Sequence, residues 1–264
     1  MQSFNLCPPE RLRNLRGVLT DIDDTLTQGG VIAPAALSAL QTLERAGVPV
    51  IAVTGRPSGW SEPFALSWPV RAIVAENGAV MLRRDEKGAL KREFSQDAPT
   101  RSANFARLQA CAAAVLRQVP QARLATDSAG RLTDIAVDHA EFAQLDAAQI
   151  EAVCAVMHAH GLVATVSSIH INGWIGEHSK WTAAAWAVPA LLGEEFDPRR
   201  WLYIGDSAND QLMFERMPLT VGVANIALWA PRLRHLPTFV TDGERGEGFA
   251  EMARALLQAR AGNG

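Results

Sequence analysis

The chain reads as an α/β protein: a Rossmann-like parallel sheet with helices on both faces, carrying an inserted α+β module with an antiparallel sheet of its own. Three observations predict this. Short, near-continuous apolar runs alternate with helical stretches near the start of the chain, the pattern of strands buried on both faces. The rhythm changes between about residues 84 and 174, where strands follow one another as antiparallel partners do. From Lys180 onward the first rhythm returns, so one sheet is built from the two ends of the chain.

In order, GVLTD at 17–21 is the first buried strand. PAALSALQTLERAG at 34–47 is a helix: Leu37, Leu40 and Leu43 recur at helical spacing, Pro34 opens it and Gly47 ends it. VPVIAVT at 48–54 and AIVA at 72–75 are further buried strands. Inside the insertion a long helix runs from about Ser102 to Gln118, and the strands ARLATD and RLTDIAVD join at SAG. A second helix spans about Ala147 to His160, followed by strands LVATVS and IHING. After a helix opening near Lys180, WLYIG is a strand, NDQLMFERM a helix, LTVGV and TFVTD strands, and GEGFAEMARALLQAR a closing helix. The expected division is a core of residues 1–83 and 175–264 and an insert of 84–174.

Composition narrows the function. At 264 residues, 48% hydrophobic and 20% charged, the chain can bury a sizeable core. A formal net charge of -3 offers no basic field to nucleic acid. No apolar run is long enough to span a membrane, and MQSFNLCPPERLRNLRG lacks the apolar centre of a signal peptide. Cys7, Cys111 and Cys154 are scattered, without metal-ligand spacing, and suit a reducing cytoplasm. Cys111 and Cys154 lie in Ala-rich helical patterns and read as core residues. His139, His158 and His160 read as surface residues. A monomer or weak homodimer is expected.

One stretch looks costly. Asp21, Asp23 and Asp24 fall within DIDDT. Two like charges about 4 Å apart, at an effective dielectric of about 20, repel by about 4 kcal/mol. A parallel sheet delivers the loop after each strand to one edge, where ligands bind. DIDDT follows the first strand there, TGR (54–56) follows VIAV, and GDSAND (205–210) follows WLYI, while Lys180 opens a helix. Singly, each has an ordinary explanation: an acidic loop caps a helix, TGR makes a turn, a lone lysine is solvated. Together they describe a magnesium-assisted phosphoryl site. Mg²⁺ takes oxygen ligands, which Asp21 and Asp206 supply from two strand ends. One carboxylate can attack phosphorus, a second two residues on can trade protons with the leaving oxygen, and a hydroxyl and an ammonium can bind the phosphoryl oxygens.

These segments resemble the four motifs of the haloacid dehalogenase superfamily of phosphotransferases. DxDxT matches DIDDT at Asp21, Asp23 and Thr25; an apolar strand ending in Thr matches VIAVTGR at Thr54; a lysine before a helix matches HSKW at Lys180; GDxxND matches GDSANDQLMF at Asp206, Asn209 and Asp210. The large insertion between Thr54 and Lys180, preceded by AENGAV, is similar to the Cof-type group (subfamily IIB), which includes sucrose-phosphate phosphatase and mannosyl-3-phosphoglycerate phosphatase.

The resemblance implies a Mg²⁺-dependent phosphatase acting on a small phosphate ester, a sugar phosphate above all, through an aspartyl-phosphate. By position it makes Asp21 the nucleophile and Asp23 the general acid/base. Thr54, Gly55 and Lys180 become phosphate ligands. Asp21, the main-chain carbonyl of Asp23 and Asp206 become metal ligands, with Asn209 and Asp210 supporting them. It also implies that the insert is a cap over the site. Three features depart from the pattern: Asp24 stands where glycine is common, and Glu177 and Trp181 flank Lys180 where glycines are usual. Asp24 is expected to cap the following turn. Substrate recognition is expected from Arg56 and from His170 and Asn172, which alternate with Trp174 along one extended segment. A phosphomutase of the phosphomannomutase kind and a phospho-aspartate signalling switch are the alternatives.

Overall fold

In the computed structural model, residues 1–262 are described. Strands β1 (Gln2–Ser3), β2 (Gly17–Thr20) and the small hairpin β3 (Thr27–Gln28) and β4 (Val31–Ile32) come first, with helix α1 (Pro9–Arg13) between β1 and β2. Then follow α2 (Pro34–Arg45), β5 (Val50–Val53), α3 (Ser58–Ser67), β6 (Ala72–Ala75), β7 (Val80–Arg84) and β8 (Leu90–Phe94). The insert holds α4 (Ala98–Gln118), β9 (Arg123–Leu124), β10 (Asp134–Asp138), α5 (Ala147–Ala159), β11 (Val163–Val166) and β12 (His170–Trp174). The chain returns through α6 (Lys180–Leu192), β13 (Trp201–Gly205), α7 (Gln211–Arg216), β14 (Thr220–Gly222), β15 (Phe239–Val240) and α8 (Arg245–Ala261).

The large sheet has the order β1-β15-β14-β13-β2-β5-β6-β7-β8. It is parallel from β1 to β6, and β7 and β8 continue it antiparallel. Two-residue alternation sorts its side chains. Val18, Ala52, Ile73 and Ile204 face Leu40 and Leu43 of α2 and Met252 and Leu256 of α8. Their neighbours Leu19, Ile51, Val74 and Tyr203 face Ala183, Ala187 and Val188 of α6 and Met213 of α7. The strands are buried on both faces, which is why they read as unbroken apolar runs. α2 starts at Pro34 and stops before Gly47, whose φ of 69° suits the left-handed end of a helix.

The insert is a second sheet, β11-β12-β10-β9, antiparallel throughout. α4 and α5 cover one face, where Leu108, Cys111, Val115, Val153 and Met157 pack on Ile135, Val137 and Ile171. The alternate residues Asp134, Asp138, His170, Asn172 and Trp174 occupy the other face.

Three details differ from expectation. The chain leaves the large sheet after Phe94, beyond the boundary expected at residue 84: LKREF is an edge strand with three charged residues between Leu90 and Phe94, without the unbroken apolar run of the inner strands. SAG is a 3₁₀ turn at Ser128–Gly130 rather than a tight hairpin turn, because its backbone packs on the core, where Gly130 lies against Gly59 too closely for a side chain on either. His139 is buried, its Nε2 2.9 Å from the carbonyl of Ser167, while His158 and His160 are exposed.

Candidate active site

The four segments meet at the carboxyl edge of the large sheet. Asp21 extends β2, its N–H donating to the Ile204 carbonyl of β13 at 3.0 Å. The DIDDT turn is pinned by Ile22, whose carbonyl accepts from the N–H groups of Thr25, Leu26 and Thr27, and by the fully buried Ile22 and Leu26 side chains. Thr54 follows β5; its buried hydroxyl accepts from the Arg56 N–H at 3.0 Å. α6 begins with a capping box between Ser179 and Thr182, which places Lys180 in the first turn, aimed under the DIDDT loop.

Lys180 and Asp210 form the base of the site. Lys180 Nζ lies 2.9 Å from Asp21 Oδ1 and 2.6 Å from Asp210 Oδ1, and donates to Asn209 Oδ1 at 3.2 Å. Asp210 Oδ1 also accepts from the Tyr203 hydroxyl, and its Oδ2 accepts from the N–H groups of Asp206 (2.8 Å) and Ser207 (3.0 Å). Gly205 is obligatory there, since a Cβ would collide with the Asp210 carboxylate. Burial would lower the Lys180 ammonium, but Asp21 and Asp210 outweigh it and hold the group charged. Burial pushes the Asp21 carboxyl up to about 7, against the pull of Lys180.

Asp206 is different. Its Oδ2 accepts from Asn225 Nδ2 at 3.3 Å, but its Oδ1 is buried with no partner. Burial, and then the Asp21 and Asp210 charges, push this carboxyl well above the usual range. A buried carboxylate oxygen without a donor is costly unless a cation meets it. Asp21, Asp206 and Asp210 bring ligand atoms within 4.8 Å of one another. Since both Asp210 oxygens are already engaged, the Asp21–Asp206 side is the one fitted to hold a hard divalent cation.

The residues expected to recognise substrate fall at the face where insert meets core. Arg56 is ringed by three carboxylates: Asp23 (Nε, 3.0 Å to each oxygen), Asp127 (Nη1, 3.3 Å) and Glu141 (Nη2, 2.9 Å), the last two from the insert. Glu141 also lies 2.9 Å from His170 Nε2. Burial would raise the Glu141 carboxyl; His170 and Arg56 outweigh it and hold it at about 2. Asn172 Nδ2 donates to the Gly55 carbonyl at 3.1 Å and to Asp134 Oδ2 at 3.3 Å. Arg56, His170 and Asn172 therefore share one interface, where all three are buried and engaged in ion pairs and hydrogen bonds. Asp24 is not a local turn cap. Its carboxylate accepts from Arg245 Nε at 2.8 Å, across the chain.

Several residues of this region carry little signal in the sequence. Glu76 sits in AENGAV with φ 51°, inside a left-handed run with Asn77 and Gly78. Its buried carboxylate accepts from Ser58 N of the core and from Leu132 N, Thr133 N and Thr133 Oγ1 of the insert. Arg131 Nη1 reaches the Gly55 carbonyl (3.0 Å) and Asp134. Tyr203, the chain's single tyrosine, bonds to Asp210 beneath the site.

A family model for haloacid dehalogenase-like hydrolases matches residues 18–121. A phosphoglycolate phosphatase of Methanothermobacter thermautotrophicus is 29% identical over 256 residues, covering 92% of this chain and 99% of that protein. Among solved structures, a Thermoplasma acidophilum protein superposes with a TM-score of 0.68 at 20% identity, covering 92% of this chain and 98% of the other. A Synechocystis sucrose-phosphatase, determined with sucrose and phosphate, gives 0.66 at 15% identity, covering 93% and 98%. Residues 18–121 are thus similar to the haloacid dehalogenase-like hydrolases, and the fold, insert included, is shared with these solved structures. No helix among the described residues is long and apolar enough to cross a membrane.

Proposed function

We propose that the protein is a Mg²⁺-dependent phosphatase that hydrolyses a small phosphorylated metabolite through an aspartyl-phosphate. The observation that carries this is the unpartnered, buried Asp206 Oδ1 beside Asp21, itself seated on Lys180. Asp21, the Asp23 carbonyl and Asp206 would hold the ion. When bound, Mg²⁺ supplies charge neutralisation for the phosphate and for the two carboxylates.

The chain's own groups do the rest. An Asp21 carboxylate oxygen attacks phosphorus as the bond to the leaving oxygen breaks, and Asp23 gives that oxygen its proton. Asp23, now a carboxylate, takes a proton from water; the water oxygen attacks phosphorus and the bond to Asp21 breaks. Lys180, the Thr54 hydroxyl and the Gly55 N–H bind the phosphoryl oxygens and stabilise the charge that develops on them. Asp210 and Asn209 hold Lys180 in place. Asp23 can deliver a proton only when its oxygens are free of the Arg56 guanidinium, so substrate entry must loosen that pair.

Phosphoglycolate, the substrate in the name of the relative that is 29% identical, is the first ester to test. Sugar phosphates come second, because Asp127, Glu141 and Asn172 offer acceptors suited to hydroxyl groups. The test is phosphate release from both sets with Mg²⁺ and with chelator. Release that needs Mg²⁺ and disappears in Asp21→Asn supports the reading. Isomer formation without phosphate release would replace it with a phosphomutase.

A further inference from the structure

Asn225 ties together three parts of the site that the chain brings from far apart. Its Nδ2 donates to the Asp24 carbonyl at 3.0 Å and to Asp206 Oδ2 at 3.3 Å, and its Oδ1 accepts from the Arg245 N–H at 2.9 Å. The partners settle which way the amide faces: a main-chain carbonyl can only accept and a main-chain N–H can only donate. Asn225 is 7% exposed, so these bonds are shielded from water. The two residues it joins are both left-handed, Asp24 at φ 53° and Arg245 at φ 49°. Neither is a glycine, so each conformation costs energy and needs an outside hold. Arg245 completes the tie by donating to Asp24 Oδ1.

We infer that Asn225 is a positioning residue for the metal site, braced by the Asp24–Arg245 pair. Resting on the proposal that Asp206 ligates Mg²⁺, it fixes which oxygen does so. Occupying Oδ2 with the amide donor leaves Oδ1 as the free oxygen. By holding the Asp24 carbonyl it also sets the far end of the loop that carries Asp21 and Asp23. Asp24, which spacing alone left as a cap, thereby gains a purpose: its backbone is one anchor of the tie and its carboxylate the other.

The test is Mg²⁺ binding by titration calorimetry on the full chain, with urea denaturation in chelator alongside. Partners that orient metal ligands typically contribute about 10–100-fold in affinity. Asn225→Ala should therefore bind Mg²⁺ at least about 10-fold more weakly than wild type, with activity recovering as Mg²⁺ is raised. Should that variant not fold, Asn225→Ser gives the same measurement, its hydroxyl being too short to span the three partners. Mg²⁺ affinity unchanged in a folded Asn225 variant, with only metal-free stability reduced, overturns the inference and leaves Asn225 a structural tie. A wild-type protein that binds no Mg²⁺ overturns the proposed function itself, a result distinct from the other two.

Discussion

Removing the Asp210 carboxylate should cost more stability than removing any other side chain of the site, although Asp210 has no assigned contact with substrate. In Asp210→Ala, four donors lose their acceptor: Lys180 Nζ, the Tyr203 hydroxyl and the N–H groups of Asp206 and Ser207. Each buried donor left unpaired costs about 1–3 kcal/mol. Lys180 keeps Asp21 and Asn209, and relaxation will recover part of the rest. Breaking one side of a buried ion pair costs about 3–5 kcal/mol. The expected loss is about 4 kcal/mol, read from urea denaturation in chelator at neutral pH. Asp210→Asn should lose nearly as much, because its NH₂ must face two donors on one side or the other. Asn209→Ala, which removes a single partly buried acceptor, should lose no more than about 1 kcal/mol. An Asp210→Ala loss below about 1 kcal/mol would show that these bonds are not made in the folded protein.

Other outcomes follow from the same contacts. Asp21→Asn should abolish phosphate release while its circular dichroism and melting transition remain those of a folded protein. Glu76→Ala removes the carboxylate that fastens the insert to the core, so hydrogen exchange at the Leu132 and Thr133 amides should accelerate at least about 10-fold relative to that in β13; equal rates would mean the fastening lies elsewhere. His178 has both ring nitrogens buried without a partner, and burial pulls its imidazole down to about 4. Its folded pKa lies below the unfolded value, so stability is full above about 6.5 and falls with acidification toward 4, by about 3 kcal/mol at most. His178→Phe should flatten that part of the urea stability profile, and a profile of unchanged slope would contradict the assignment.

The motif residues were legible because an α/β sheet converts sequence order into spatial convergence. Asp21, Thr54 and Asp206 each follow an apolar strand, and parallel pairing brings those strand ends side by side. Lys180 was legible for a similar reason, since a helix start faces the same edge. What spacing does not encode is which distant partner a polar side chain finds. Asp24 looks like a turn residue until Arg245 is brought beside it, and Asn225 looks like any residue after a strand. Glu76 is hidden by its context, because ENG suggests a turn and says nothing of an insert's backbone docking on the carboxylate. His170 and Asn172 were correctly placed on one strand face by alternation, yet Asn172 bonds to a main-chain carbonyl and to Asp134. The edge strand Leu90–Phe94 escaped because three charged residues separate its two apolar ends, its place being set by pairing with β7.

The central claim is that Asp21 carries the phosphoryl group. It is tested most directly by mixing enzyme, Mg²⁺ and a turned-over phosphate ester for a single turnover, quenching with borohydride and mapping the peptides. Reduction of an acyl phosphate would convert residue 21, and it alone, to homoserine, and the product should be absent without substrate and in Asp21→Asn. Consumption of substrate with an unmodified Asp21, or with the modification on another carboxylate, would contradict the account.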